Sequence, residues 1–164
     1  MALSRPELLA DHHDLEKFTS GEVSLDEWLR RRARANQFSG ASRTYVVCQD
    51  NRVAGYYALA SGAVATTVVP GRFRRNMADP VPVVILARLA VDRAWQGRGM
   101  GRGLFRDAAQ RVVQAADTIG IRGILVHAIS EQARNFYLAL GFDECPGQPM
   151  MLVATVADLR AALA

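Results

Sequence analysis

The chain has 164 residues, of which 50% are hydrophobic and 22% are charged, and its formal net charge is +4. This composition is too apolar for a disordered chain, and the sequence shows neither a transmembrane-length apolar run nor the basic-then-apolar order of a signal peptide. Together with the wide separation of Cys48 and Cys145, these features predict one cytoplasmic domain over residues 1–164, without a disulfide scaffold or a metal site.

The first predicted elements are a helix and a hairpin. An apolar face at helical spacing predicts a helix over residues 25–38, which Gly40 ends. Two runs rich in β-branched and aromatic residues predict strands over residues 43–49 and 52–59. Because Asp50-Asn51 separates the two strands, we expect a tight hairpin turn there. The second strand either continues or bulges before an arginine-rich connection.

The second half of the chain alternates buried strands with helices. Residues 83–91 are apolar except for Arg88, which is typical of a central strand covered on both faces. Beyond it the pattern predicts a helix from Gly101, a strand over residues 123–129, a helix capped by Ser130, a strand over residues 150–154 and a C-terminal helix. This order predicts a mixed α/β sandwich around one sheet.

The segment Q-G-R-G-M-G-R-G, residues 96–103, lies between the central strand and its helix. A glycine-rich turn at the start of a helix leaves backbone N–H groups unpaired at the positive end of the helix dipole, and these groups bind anions. The spacing matches neither the G-x-G-x-x-G fingerprint nor the Walker loop, which needs a lysine. The residues predicted to hold a pyrophosphate are Gly97, Arg98, Gly99, Met100, Gly101 and Arg102.

One family motif fits this spacing. Gln96-x-x-Gly99-x-Gly101 resembles the Q/R-x-x-G-x-G/A pattern of the GNAT (GCN5-related) N-acetyltransferases, and the preceding L-A-R-L-A-V-D is similar to their acetyl-CoA strand. Residues 130–142, S-E-Q-A-R-N-F-Y-L-A-L-G-F, resemble the later family motif A-x-x-F-Y-x-x-x-G-F. The resemblance implies the GNAT fold, a central mixed sheet flanked by helices, with acetyl-CoA as cofactor. A loop whose glycines merely turn the chain is the alternative.

The resemblance also implies roles for individual residues. A backbone N–H of the strand end polarises the thioester carbonyl, and the phenol of Tyr137 protonates the departing CoA thiolate as a general acid. Ser130 stands where many members carry asparagine, and Asn135 is the alternative for that contact. The further residues implied to bind the cofactor are Leu89, Ala90, Val91, Gln96, Ser130 and Asn135. Phe136 and Leu140 are predicted to fill the core.

The amino-terminal half carries a narrower resemblance. The stretches H-D-L-E-K-F-T-S-G-E-V-S-L-D-E-W-L and G-Y-Y-A-L-A are similar to the GNAT-type toxins of bacterial type II toxin–antitoxin modules. This implies that the substrate is the α-amine of aminoacyl-tRNA, that translation is blocked, that a ribbon-helix-helix antitoxin is the partner, and that the protein forms a homodimer. The alternatives are an acetyltransferase acting on a protein N-terminus or a small-molecule amine, and a non-catalytic nucleic-acid-binding module.

Arginines dominate the basic residues, since Lys17 is the only lysine, and a polyanionic tRNA predicts clustered arginines. A GC-rich genome explains the arginine bias equally well. The candidate RNA contacts are Arg30, Arg34, Arg72, Arg74, Arg75 and Arg93. Arg30 is also placed for an i,i+4 ion pair with Asp26, whereas no acidic residue lies among those at 72–75. His127, inside an apolar strand, is predicted to be a buried core histidine.

Overall fold

The computed structural model describes residues 2–164, which divide into two compact units. The first unit contains the residues up to Ala60 together with Ala87–Ala108, and the second contains Ser61–Leu86 together with Ala109–Ala164. The helices are α1 (Val23–Arg31), α2 (Ala33–Ser39), α3 (Gly71–Arg74), α4 (Met100–Ala116), α5 (Glu131–Ala139) and α6 (Val156–Leu163). The strands are β1 (Glu7–Leu8), β2 (Arg43–Gln49), β3 (Arg52–Val64), β4 (Val81–Val91), β5 (Gly123–His127), β6 (Asp143–Cys145) and β7 (Gln148–Thr155).

The first unit contains the antiparallel hairpin that the sequence predicts. β2 pairs with β3, and the short strand β1 pairs with β2. Asp50 and Asn51 both have positive φ, 50° and 67°, which is the turn geometry that matches the twist of a two-residue hairpin. The predicted turn is therefore confirmed. β3 continues to Val64, so continuation is the correct alternative for this strand.

The single helix predicted over residues 25–38 is wrong, because the chain forms α1 and α2 with a break at Arg32. Arg32 has φ −121° and ψ −28°, outside the helical region. Its N–H nevertheless donates to the Trp28 carbonyl at 2.8 Å, and its carbonyl accepts from Asn36 at 2.9 Å. Hydrogen bonds thus run through the break, and the apolar periodicity cannot distinguish two helices from one.

The second unit contains the mixed part of the sheet. The first half of β4 pairs in parallel with β5, β5 pairs with β7 in the antiparallel direction, and β7 pairs with β6. A Cβ at Gly123 would lie 2.0 Å from the Ala154 carbonyl oxygen, so only glycine fits the β5–β7 contact. Ser130 caps α5 by accepting the Ala133 N–H at 3.1 Å, as predicted. The mixed α/β fold class is confirmed, and the single domain stays a prediction.

Several predictions about burial and strand number are wrong. His127 is exposed, because it alternates with buried Val126 and Ala128 along the strand end. Phe136 and Leu140 are only half-buried. The strand β6 is absent from the predicted order, since its three residues carry no periodic pattern and depend on pairing with β7. No helix among residues 2–164 has the length and apolar character needed to cross a bilayer.

The two cysteines are free buried thiols, and burial raises the pKa of each to about 11. Thiolate is therefore scarce at about pH 8, and access to the sulfur atoms is blocked. We expect neither Cys48 nor Cys145 to react with Ellman's reagent in the native protein, and both to react at once in guanidinium. Rapid labelling of a native thiol, followed by absorbance, would contradict this placement.

Candidate active site

A buried carboxylate holds the end of the central strand. Asp92 is 3% exposed, and its side chain accepts the N–H groups of Thr19 at 3.0 Å and Ala94 at 2.9 Å. Its own N–H donates to the Ala54 carbonyl at 2.8 Å. These bonds begin the short 3-10 helix Arg93–Trp95 that leads into the glycine loop. Sequence reasoning missed this role, although an aspartate directly after a buried strand is a recognisable capping signal.

Gln96 closes the loop from the other side. Its side-chain nitrogen Nε2 donates to the carbonyls of Val91 at 2.8 Å and Ser20 at 2.7 Å. One amide group therefore ties the end of β4 to the segment before α1. This gives Gln96 a positioning role in the loop, while its predicted contact with a cofactor stays a prediction.

The glycines of the loop have the backbone conformation that an anion site requires. Gly97 and Gly99 have φ of 77° and 82°, a region that favours glycine, and a Cβ at either position would meet nothing within 4 Å. The Gly103 N–H donates to the Gly99 carbonyl at 3.1 Å, which is the first bond of α4. The N–H groups that precede this bond have no intrahelical acceptor. They belong to Met100, Gly101 and Arg102.

A close contact in the first unit places the start of α4 against β3. A Cβ at Gly55 would lie 2.7 Å from Met100 Sδ and 3.0 Å from Leu104 Cδ1. A larger residue at Gly55 would therefore have to displace the side chains of Met100 and Leu104. Arg98 lies with its guanidinium carbon 5.1 Å from the centre of the Trp95 ring, at the edge of a pocket of about 380 Å³. The strand end at 89–91 and the loop at 96–102 thus come together in one unit.

The second unit contains the predicted general acid. Tyr137 is 5% exposed, and its ring makes edge-to-face contacts with Phe136 at 5.1 Å and Phe142 at 5.4 Å. Burial raises the pKa of the phenol above its ordinary value. The hydroxyl is therefore protonated at neutral pH, which is the form that a general acid needs. Asn135 is exposed, and Ser130 uses its oxygen as the α5 cap.

The arginines of the first two helices fasten the amino-terminal segment. Arg30 Nη1 donates to the Phe18 carbonyl at 2.7 Å, and Arg34 Nη2 donates to the His13 carbonyl at 2.6 Å. Asp26 does not pair with Arg30, because its carboxylate accepts the Ser20 hydroxyl at 2.6 Å. Both guanidinium groups thus have a structural role, and their predicted role with RNA stays a prediction.

Arg72 has acidic partners that its sequence neighbourhood does not show. Its guanidinium pairs with Asp143 at 3.2 Å and, more closely, with Asp158. Arg74 Nη1 donates to the Val69 carbonyl at 2.8 Å. The absence of acidic residues among positions 72–75 therefore does not leave Arg72 unpaired, because the carboxylates come from the distant β6 and α6. Arg75 and Arg93 are exposed and stay predicted RNA contacts.

The ion pair of Arg72 gives the second unit a pH dependence. Arg72 lowers the pKa of Asp158, whose ordinary value is 3.8, chiefly through their hydrogen bond. The stabilisation is complete above the ordinary pKa and is lost as the pH falls through the lowered one. We expect Asp158→Asn to lower the free energy of unfolding by up to about 1 kcal/mol at neutral pH. Urea titrations should show this difference shrinking in acid, and a constant difference would contradict it.

One group of side chains has the composition of a metal site. Glu7, His12 and His13 place ligand atoms within 4.8 Å of one another. Both ring nitrogens of His13 are engaged, because Nδ1 accepts the Ala10 N–H at 2.9 Å and Nε2 contacts Glu7 at 2.7 Å. No lone pair of His13 is left for a metal, so the cluster serves to hold β1 to the segment that follows.

Known proteins share this arrangement. Residues 40–144 match the family described as "Acetyltransferase (GNAT) domain". The chain is 55% identical over 158 residues to the "tRNA-acetylating toxin" of Mycobacterium tuberculosis (strain ATCC 25618 / H37Rv), covering 96% of this chain and 95% of that one. It is similar to AtaT complexed with acetyl-methionyl-tRNAfMet, with a TM-score of 0.90 and 29% identity over 99% of this chain and 100% of that chain.

A further solved structure is a mutant of the AtaT toxin bound to the C-terminus of the antitoxin AtaR and acetyl-CoA. Its TM-score is 0.84, with 30% identity over 98% of this chain and 97% of that chain. The family match covers more than half of the chain, and the mycobacterial relative matches almost all of it. The chain therefore belongs to the GNAT acetyltransferase family.

Proposed function

We propose that this acetyltransferase moves an acetyl group from acetyl-CoA to the α-amine of aminoacyl-tRNA and thereby blocks translation. The observation that carries the proposal is the 55% identity, over 96% of the chain, to a tRNA-acetylating toxin. The similarity to AtaT in complex with acetyl-methionyl-tRNAfMet supports the same substrate class. The net charge of +4 suits a polyanionic partner.

The anion site of the first unit is proposed to hold the pyrophosphate of acetyl-CoA. The N–H groups at the start of α4 have no intrahelical acceptor and are suited to an anion, and Gly97 and Gly99 leave the approach open. Asp92 and Gln96 keep this loop in place through bonds to the backbone. Arg98 and Arg102 add positive charge. The residues present thus fit the group that the family uses.

The chemical step is proposed to need few side chains. A backbone N–H within Leu89–Val91 polarises the thioester carbonyl, the amine nitrogen forms the new C–N bond, and the C–S bond breaks. Tyr137 gives its proton to the departing sulfur and recovers one from the attacking amine. An aminoacyl ester lowers the pKa of its α-amine, so a neutral fraction exists at cytoplasmic pH. No carboxylate base is required.

The partners follow from the same relatives. We propose that a ribbon-helix-helix antitoxin neutralises the protein, that two copies form a homodimer, and that the protein acts in the cytoplasm, where aminoacyl-tRNA is found. The structure of an AtaT mutant with the C-terminus of AtaR supports an antitoxin partner. We expect the neighbouring reading frame to encode the antitoxin, and size-exclusion chromatography with light scattering to give twice the mass of the chain.

Labelled acetyl-CoA tests the proposal directly. The purified protein is incubated with charged tRNA, deacylated tRNA, an N-terminal peptide and a polyamine. We expect label on charged tRNA only, and mild alkaline hydrolysis should release it as an N-acetylated amino acid. Label on the peptide or the polyamine, without label on tRNA, would show that the substrate is that amine and not aminoacyl-tRNA. Salt-sensitive RNA binding without any acetyl transfer would indicate a non-catalytic nucleic-acid-binding module.

A further inference from the structure

An arginine interrupts the central strand. Arg88 is half-buried in β4, and its guanidinium carbon lies 4.5 Å from the centre of the Trp28 ring of α1. The Trp28 ring stacks on Tyr56, with 6.0 Å between ring centres and 9° between planes. Tyr56 is fully buried, and its hydroxyl donates to the Leu25 carbonyl at 2.7 Å. The guanidinium therefore rests on a rigid aromatic support.

The contact with Trp28 is a cation–π contact of the Arg88 guanidinium. An arginine has five N–H donors in the plane of that group, and a cation–π contact engages none of them. In the part of the chain that the structure describes, the Arg88 side chain makes no ion pair and no hydrogen bond. Its five N–H donors therefore have no protein acceptor.

Three other half-buried arginines behave differently, since each donates hydrogen bonds to the protein; they are Arg30, Arg122 and Arg134. The fourth, Arg111, also has a partner within the protein. Arg122 is the closest comparison, because it also lies over an aromatic ring, 5.9 Å from the centre of Phe73. It nevertheless donates to the carbonyls of Phe73 at 2.8 Å and Arg72 at 2.9 Å. Burying a cation without a partner is unfavourable, so the exception at Arg88 points to a partner from outside the chain.

The position of Arg88 indicates which partner this is. It directly precedes Leu89–Val91, where the thioester carbonyl is proposed to bind, and neighbouring residues in a strand are about 3.8 Å apart. The acceptor amine must reach the same place. In aminoacyl-tRNA the nearest anion to that amine is the phosphate of the terminal nucleotide. The planar guanidinium of an arginine can bind a phosphate through two parallel hydrogen bonds.

We propose that Arg88, held on Trp28, binds the phosphate of the 3′-terminal nucleotide of aminoacyl-tRNA and so positions the amine at the strand end. This inference rests on the proposed function. It assigns substrate binding to a residue of β4 and leaves acetyl-CoA binding to the loop that begins after Asp92. An acidic peptide could also pair with the Arg88 guanidinium, but its anionic group would be a carboxylate and not a phosphate.

The test compares Arg88→Gln and Arg88→Lys with Lys17→Gln, which removes the same charge from an exposed position in the same unit. For Arg88→Gln we expect the KM for aminoacyl-tRNA to rise about tenfold, because a charge-assisted contact is lost. The slope of log affinity against log salt should fall by about 0.7, the value of one single-strand phosphate. The KM of Arg88→Lys for aminoacyl-tRNA should lie between those of wild type and Arg88→Gln. Lys17→Gln should have the KM and the salt slope of wild type. The Kd for acetyl-CoA and the Tm of each variant, compared with wild type, show whether the variant is correctly folded.

Two minimal substrates separate a phosphate contact from a structural role. One is 3′-O-aminoacyl-adenosine, and the other is the same compound with a 5′-phosphate. Wild type should prefer the phosphorylated compound about tenfold, and Arg88→Gln should acetylate both equally. An equal loss on both substrates would overturn the assignment while the proposed function stands. The assay of wild type with charged tRNA, peptide and polyamine tests the proposed function separately. Acetylation of the peptide alone would overturn both the proposed function and the role of Arg88.

Discussion

Gly99→Glu is expected to abolish measurable binding of acetyl-CoA. Gly99 has φ of 82°, and the space that a Cβ would enter contains no protein atom within 4 Å. A glutamate there would place a carboxylate before the N–H groups that are proposed to bind the pyrophosphate, where the two negative charges would repel. The left-handed backbone adds a strain of about 1–2 kcal/mol. Isothermal titration calorimetry should show an affinity lower by at least about a thousandfold.

Gly147→Glu is the matched control for this variant. Gly147, in the turn between β6 and β7, has φ of 71° and equally open space, so the substitution brings the same strain and the same charge. We expect Gly147→Glu to bind acetyl-CoA with wild-type affinity. If Gly99→Glu bound acetyl-CoA with wild-type affinity, the assignment of the glycine loop as the pyrophosphate site would be wrong. An equal loss in both variants would show that strain, and not the anion site, causes the effect.

Tyr137→Phe is expected to lower kcat by about a hundredfold to ten-thousandfold, while the Kd for acetyl-CoA stays within a factor of about two. The ring and its contacts with Phe136 and Phe142 remain, and only the proton donor is removed. Because burial raises the pKa of the phenol, its ionisation should not reduce kcat between about pH 7 and pH 9. The variant should therefore be slower by the same factor throughout this range.

Tyr57→Phe serves as the control for loss of a buried tyrosine hydroxyl. The Tyr57 hydroxyl donates to Asp107 at 2.5 Å, and its removal should cost about 1 kcal/mol of stability without a change in kcat. Single-turnover acetylation of charged tRNA measures the chemical step for both variants, and growth on induction measures toxicity. Wild-type kcat in Tyr137→Phe would refute the general-acid role. A similar loss of kcat in Tyr57→Phe would point to general destabilisation.

Local features were predictable because neighbouring residues carry them. The turn at Asp50-Asn51 needs two positive φ angles, which these residue types tolerate, and the Ser130 cap needs an N–H three positions later. The glycine loop belongs to the same class, since Gly97 and Gly99 have the conformation that the motif requires. Its predicted contacts with a cofactor, and the role of Tyr137, stay predictions.

Long-range features were not predictable from sequence patterns. The motif places Gln96 in the glycine loop, but it does not show that the Gln96 amide donates to the carbonyl of Ser20, which is far away in the chain. No acidic residue lies among positions 72–75, and the carboxylate that pairs with Arg72 comes from Asp158 in α6. In both cases the partner lies in an element that approaches only after folding, and no local spacing marks such a pair.

By itself the sequence determined the β2–β3 hairpin, the glycine turn at the start of α4 and the family resemblance, because each depends on residues within a few positions. Tertiary structure decided which partners each arginine has. Arg30, Arg34 and Arg72 bind carbonyls and carboxylates of the chain, whereas the guanidinium of Arg88 lies over an aromatic ring. A guanidinium has the same charge in every setting, and only its neighbours in space determine whether that charge is satisfied.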